Sequence, residues 1–286
     1  MKDVLIVNKK DLDKKLRNFK RDGLSNLHIL SDFDGTLLKC WNKGEKINSL
    51  ISRLRNGKYL TPEYARRAQA LFEQYHPIEI DSTIPLERKI KKMREWWTKH
   101  WDLLIEYKFN QKTIREYVSD MIKNKKPEFR SGISEFVYFA RDKKIPIVIL
   151  TAGLEDLVTE YLVQKDFNFE NINVIGNKLH YDKRRYASRI DKIMHVFSKD
   201  ERHIQGLSVY KELLNRKNVL LLGDGLGDLG MIKGFPYENL ISIGFVNEPT
   251  EAIKELYMKH FDVLILNDGS LQYLNSLLKK IPSHSV

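Results

Sequence analysis

The chain has 286 residues, 42% of them hydrophobic and 30% charged, which suits a folded protein with a sizeable core and excludes a disordered or collagen-like one. Forty-nine Lys and Arg against 38 Asp and Glu leave a formal charge of +11, so anionic partners are favoured on charge alone. The single cysteine, Cys40, excludes an internal disulfide and suits a reducing compartment.

The N-terminal MKDVLIVNKKDLDKK turns charged after a very short apolar stretch, which does not make a secretory core. No window approaches the roughly 20 apolar residues that a spanning helix needs. The expectation is a cytoplasmic protein with no membrane partner. Basic residues are interleaved with acidic ones, as in LERKIKKMREWW, so they read as solvated helix faces rather than a nucleic-acid stripe.

Residues 11–20 have helical spacing. LHILS at 27–31 is a short apolar run ending at an acid and predicts a buried strand. From Thr61-Pro62-Glu63 the pattern turns helical, with Thr61 as cap, Pro62 in the first turn and Ala65, Ala68, Leu71 and Phe72 on one face. Helix dominates from about 61 to 124.

The texture then changes. A helix is predicted over 131–142, a buried strand over 145–150, a helix over 154–164 and a strand over 172–176. Residues 178–197 read as a strand pair or irregular loop. A helix at 203–216, a strand at 219–222, a helix near 227–233 and a strand at 240–245 follow. A helix at 249–259, a strand at 262–266 and a helix at 270–280 complete the chain. Strands alternating with helices imply an α/β fold, a doubly wound parallel sheet with helices on both faces. The expected organisation is discontinuous: residues 1–45 and 127–286 form the core, and 46–126 form an inserted helical cap.

Ligands of such sheets sit beyond the carboxyl ends of the strands. After the first strand comes Asp32-Phe33-Asp34-Gly35-Thr36. Two carboxylates at one strand end repel each other, and a hard divalent cation such as Mg²⁺ relieves this. Taken alone, DFDGT also reads as a plain turn. After IPIVIL comes Thr151-Ala152-Gly153, a hydroxyl and backbone N–H groups at the expected start of a helix. This is either a phosphate seat or an ordinary cap. Lys199 in HVFSKDE carries almost no signal by itself. After VLLL comes Gly223-Asp224-Gly225-Leu226-Gly227-Asp228, two more acids among glycines; GxGxxG is not matched and no P-loop lysine follows.

Acid pair, hydroxyl, lysine and acid pair in this order resemble the haloacid dehalogenase-like phosphatase superfamily. YLTPEYARRAQALFEQYHPIEID, MREWWTKHWDLL, ILTAGLEDLV, HVFSKDE, LLLGDGLGDLGMIKG and HFDVLILNDGSLQYLNSLL are similar to the cytosolic pyrimidine 5′-nucleotidase family (5′-nucleotidase III), over about residues 11–281. The resemblance implies a Mg²⁺-dependent phosphomonoesterase acting on nucleoside 5′-monophosphates, either pyrimidine ones such as CMP and UMP or 7-methyl-GMP. It implies Asp32 as nucleophile, Asp34 as general acid and base, and Asp32, Asp34, Asp224 and Asp228 around the metal. Thr151, Ala152 and Lys199 would hold the phosphate, with Glu79, Trp97 and His100 at the nucleoside.

Three departures stand out. His100 and Thr151 lie where the family typically has serine, and Gly35 lies where some members have methionine, a position read here as outside the chemistry. The expected partner is a small nucleotide, with no nucleic acid and a monomeric chain. The alternatives are a phosphatase of another small phosphomonoester, or a non-catalytic nucleic-acid-binding module on the same fold.

Overall fold

The computed structural model describes residues 3–283 apart from 48, 57, 82, 201, 202, 206, 234 and 235. In chain order, β1 (Val4–Ile6) leads into α1 (Lys9–Asp22) and β2 (Leu27–Ser31). The chain then leaves the sheet through a small hairpin, β3 (Trp41–Asn42) and β4 (Glu45–Lys46), and a 3₁₀ segment, Ile51–Asn56. Three long helices follow: α2 (Pro62–Ile80), α3 (Leu86–Glu106) and α4 (Gln111–Asn124). The return brings α5 (Ile133–Asp142), β5 (Ile147–Leu154), α6 (Glu155–Gln164), β6 (Ile172–Asn177) and the hairpin β7 (Leu179–Tyr181) and β8 (Ala187–Ile190). The last stretch holds α7 (Ser208–Leu214), β9 (Asn218–Gly223), a 3₁₀ segment at Leu226–Ile232, β10 (Asn239–Val246), α8 (Glu251–Met258), β11 (Val263–Leu266) and α9 (Gln272–Leu278).

The main sheet has seven strands in the order β1-β11-β10-β9-β2-β5-β6. All neighbours are parallel except the edge strand β1, which runs antiparallel to β11. β2 is wholly buried between β9 and β5, so it carries apolar residues on both faces and even its polar members, His28 and Ser31, are buried. Successive residues still point to opposite faces. Leu27, Ile29, Ile147, Ile149, Leu220 and Leu222 join one apolar layer with Phe19 of α1, Phe136 of α5 and Leu274 of α9. Leu30, Val148, Leu150, Val219 and Leu221 join a second layer with Val209 and Leu213 of α7. The sheet is doubly wound, as the strand–helix alternation predicts.

Local signals explain the helix ends. The Thr61 hydroxyl accepts from the Tyr64 N–H at 3.2 Å with Pro62 in the first turn, and Asn110 caps α4 through the Thr113 N–H at 3.0 Å. Helix dominates this stretch as expected, with breaks between Ile80 and Leu86 and between Glu106 and Gln111, where Lys108 takes a φ of 55°. At the C-terminal end of β5 the prediction is corrected. The strand runs on to Leu154 with a register shift against β6 after Leu150, so Thr151–Gly153 lie in a bulged strand end and not at the start of α6.

The excursion leaves and returns through one neck. Leu38 bridges Phe129, the Lys39 N–H donates to Glu128 O at 2.8 Å, and the Arg130 N–H donates to Leu37 O at 2.9 Å. Beyond it, Tyr64, Trp101, Phe109 and Tyr117 of the excursion share the apolar layer on one side of the sheet. A smaller apolar group of Tyr75, Met93 and Trp96 packs with Val196 and Phe197 from the loop after β8. Among the described residues no helix is long and apolar enough to cross a membrane.

Candidate active site

β2, β9 and β5 are adjacent and parallel, so their carboxyl ends deliver Asp32, Asp224 and Thr151 to one place. The Asp32 N–H donates to Leu222 O at 3.0 Å, which extends the β2–β9 ladder up to the acid itself. Carboxylate oxygens of Asp32, Asp224 and Asp228 all lie within 4.8 Å of one another. The Lys199 ammonium enters from the loop before α7, bonding Asp32 Oδ1 and, at 2.8 Å, Asp228 Oδ1. Asp228 Oδ2 accepts from the N–H groups of Asp224 at 3.1 Å and Gly225 at 2.9 Å, which folds the Gly-rich loop back on itself.

Two glycines permit this crowding. A Cβ on Gly35, whose φ is +73°, would lie 2.2 Å from Asp224 Oδ2, and one on Gly223 would lie 2.5 Å from Asp228 Cβ. Gly35 therefore abuts the acidic group, so the position is sterically tied to it although glycine brings no side chain to the chemistry. The sequence pattern did not carry that because the contact crosses nearly 190 residues.

Burial penalises these charges, and they repel one another. Asp224 is held well above the usual carboxylate range by burial, then by Asp32 and Asp228. Burial and Asp228 push Asp32 up to about 6, with Lys199 opposing. Asp34 is pushed up to about 7 by burial and the Asp32 charge, and the Leu50 N–H opposes this at 2.9 Å from Oδ1. Burial alone would lower Lys199, but Asp228 and Asp32 outweigh it and the net shift is upward.

Three carboxylates and one ammonium leave two uncompensated negative charges when all are ionised. A hard divalent cation with oxygen preference fits that donor set in both sign and size of charge. Asp34, named with the metal ligands from sequence, stands outside this three-carboxylate group, its carboxylate turned to Leu50 N–H.

At the end of β5 the Thr151 hydroxyl accepts from the Gly153 N–H at 2.9 Å, which leaves its own proton free to donate elsewhere. The Ala152 carbonyl accepts from Trp97 Nε1 at 2.6 Å and from Asn177 Nδ2 at 2.8 Å. Trp97 of α3 is thus tied to the sheet end. Glu79 and His100 stay within the excursion. Glu79 Oε2 is 3.1 Å from His76 Nδ1. His100 is buried, bonded to Tyr64 Oη at 3.0 Å and stacked on Trp101, with its pKa lowered to about 3 by burial and the nearby Arg55.

Several supporting residues escape a reading of the sequence. Asn177 also bonds Gly153 O and both backbone groups of Met194, so it fixes the strand end and the loop that leads to Lys199. Arg130 is fully buried and donates to Gly35 O, Thr36 O and Gly269 O and to Asn247 Oδ1. Asn177 closes a sheet strand, so the strand-end rule could have found it; Arg130 carries no such signal.

A family model described as pyrimidine 5′-nucleotidase (UMPH-1) matches residues 35–282. The chain belongs to that family. A 7-methylguanosine phosphate-specific 5′-nucleotidase A of Xenopus laevis is 30% identical over 270 residues, covering 94% of this chain and 92% of the relative. The Homo sapiens 7-methylguanosine phosphate-specific 5′-nucleotidase is 30% identical over 264 residues, with 92% and 87% covered. Among solved structures, cytosolic 5′-nucleotidase IIIB bound to cytidine superposes with a TM-score of 0.87 at 25% identity, covering 98% of this chain and 93% of that one. A phosphoserine phosphatase at 15% identity and a TM-score of 0.52 shares the fold. The core is a haloacid dehalogenase-like phosphatase fold, and this family member is a 5′-nucleotidase that hydrolyses nucleoside 5′-monophosphates.

Proposed function

We propose that the chain hydrolyses pyrimidine or 7-methylguanine nucleoside 5′-monophosphates with Mg²⁺, by way of an aspartyl-phosphate on Asp32. The observation that carries this reading is the convergence of Asp32, Asp224 and Asp228 on one point with Lys199 between them. Those three acids would hold the ion, and bound Mg²⁺ would neutralise and orient the phosphoryl group.

An Asp32 oxygen attacks phosphorus as the bond to the 5′ oxygen breaks. Asp34 gives its proton to that leaving oxygen, and a carboxyl pushed to about 7 still carries one near neutrality. In the second half, Asp34 takes a proton from water, the water oxygen attacks phosphorus, and inorganic phosphate leaves with Asp32 restored. The Thr151 hydroxyl, the Ala152 N–H and Lys199 hold the remaining phosphoryl oxygens. Residues 46–126 form a cap over the core of 1–45 and 127–286, with Glu79, Trp97 and His100 toward the nucleoside. The chain acts as a monomer in the cytoplasm.

The test is phosphate release from CMP, UMP, 7-methyl-GMP, AMP, GMP and a non-nucleotide ester, with Asp32→Asn as control. Selective turnover of nucleotides that vanishes in Asp32→Asn is expected. Full activity of Asp32→Asn removes the mechanism, and equal rates on every ester remove the nucleotide preference.

A further inference from the structure

Arg55 lies on the 3₁₀ segment Ile51–Asn56, five residues beyond Leu50, whose N–H is bonded to Asp34. It is half-buried, yet its guanidinium has no hydrogen-bond or ion-pair partner among the described residues. A cation taken this far out of water is normally paired. Instead its Cζ sits 4.2 Å over the centroid of the Phe72 ring. The His76 ring lies 4.6 Å from the same centroid at an interplanar angle of 17°. Two groups that close cannot share one face of a ring, so His76, Phe72 and Arg55 form a stack with both faces of Phe72 covered.

The end of that stack is the outer plane of a guanidinium with unused donors. Its charge reaches buried His100, three residues along α3 from Trp97, whose indole is fixed to Ala152 beside the phosphate seat. The segment that carries Arg55 follows directly on Leu50, whose N–H reaches Asp34, so Arg55 sits on the stretch of the excursion next to the acidic group. Guanidinium planes stack on nucleobases.

We propose that the base of the bound nucleotide stacks on Arg55, and that this cationic platform makes the enzyme favour neutral bases, cytosine and uracil, over the positively charged 7-methylguanine. The proposal rests on the nucleotidase reading above and narrows it. Glu79 bears the opposite charge, but its carboxylate is engaged by His76 at 3.1 Å. The face contact is where the two kinds of base differ: a neutral ring is attracted to a guanidinium, and a cationic ring is repelled.

The experiment compares kcat/KM for CMP and 7-methyl-GMP in the wild type, Arg55→Gln and Arg55→Lys. The wild type should favour CMP by about tenfold or more, which is the scale of one poorly screened charge contact. Arg55→Gln, planar but neutral, should shift the ratio about tenfold toward 7-methyl-GMP, while Arg55→Lys keeps the wild-type direction. A wild type that prefers 7-methyl-GMP, or a ratio unmoved in Arg55→Gln, overturns the proposal. Binding of cytidine and 7-methylguanosine to the wild type, followed by tryptophan fluorescence, decides independently of any variant's folding: equal or tighter 7-methylguanosine binding refutes it. Failure of the nucleotidase reading looks different, with neither nucleotide turned over while a plain aryl phosphate is; the nucleoside affinities then still settle the role of Arg55.

Discussion

Replacing Lys199 with methionine removes the one positive charge inside the acidic group while keeping most of the side-chain volume. At an effective dielectric of about 20, an ammonium 2.8 Å from Asp228 Oδ1 gains roughly 6 kcal/mol of Coulomb energy, and the Asp32 contact adds a similar amount. Carboxylate oxygens within 4.8 Å of one another repel by roughly 3 kcal/mol or more for each of the pairs among Asp32, Asp224 and Asp228. Attraction and repulsion are of one size, so Lys199 offsets the mutual repulsion although two negative charges remain in excess, and its loss leaves all three uncompensated. Desolvation shrinks the net effect to about 3–5 kcal/mol, the usual cost of breaking a buried pair from one side. Urea unfolding of Lys199→Met in EDTA should show that loss. Adding Mg²⁺ should then raise the variant's stability by more than it raises the wild type's, because the ion meets more uncompensated charge. Turnover at saturating Mg²⁺ should stay about 10²–10³-fold low, since one of the proposed phosphoryl-holding donors is gone. A variant as stable as wild type in EDTA, with an equal gain from Mg²⁺, would refute this electrostatic account.

Metal removal should lower the melting temperature of the wild type and restoration should raise it, a stabilisation of about 2.7 kcal/mol at a hundredfold excess over Kd; Asp224→Asn should abolish that response. Asp34→Asn should slow CMP hydrolysis by about 10²–10⁴-fold. Formation of the phosphoenzyme from p-nitrophenyl phosphate should be slowed far less, because that leaving group needs no proton; equal losses on both esters would contradict the acid role. Buried His100 has a folded pKa of about 3 against 6.5 unfolded, so its contribution is complete above pH 6.5 and is lost as pH falls from there toward 3. Near pH 5 the loss amounts to about 2 kcal/mol. The difference in urea stability between pH 7.5 and pH 5 should shrink by about that much in His100→Gln, and an unchanged difference would show that His100 is not held neutral.

Much of the centre was legible because strand ends in a parallel sheet are chemically exposed positions. The wholly buried runs of β2 and β9 stop at Asp32 and Gly223, and the residues that follow are those the sheet brings together. The extension of β5 through Thr151–Gly153 was not legible, since a bulge there depends on β6 and on Asn177, whose bonds run to Ala152, Gly153 and Met194. Lys199 had no local signal at all, because its significance is a contact made 167 positions away with Asp32. Arg55 and Arg130 were silent for the same reason: one arginine among many basic residues reveals its role only through the ring or the carbonyls it meets. His100 reads in sequence as a titratable group, whereas burial against Tyr64 and Trp101 keeps it neutral.

The neck at Leu38 and Phe129 places departure and return side by side, held by a few backbone hydrogen bonds. A segment of some ninety residues can therefore be exchanged for a foreign one with the joins already in register, as a graft onto an existing stump. Such a chimera keeps its acids where β2 and β9 put them and, on the proposed cap role, inherits a new ceiling for its substrate. What it must supply is apolar cover for the surface that Trp101, Phe109 and Tyr117 now shield, so grafts that succeed will be chosen by that footprint more than by their own sequence.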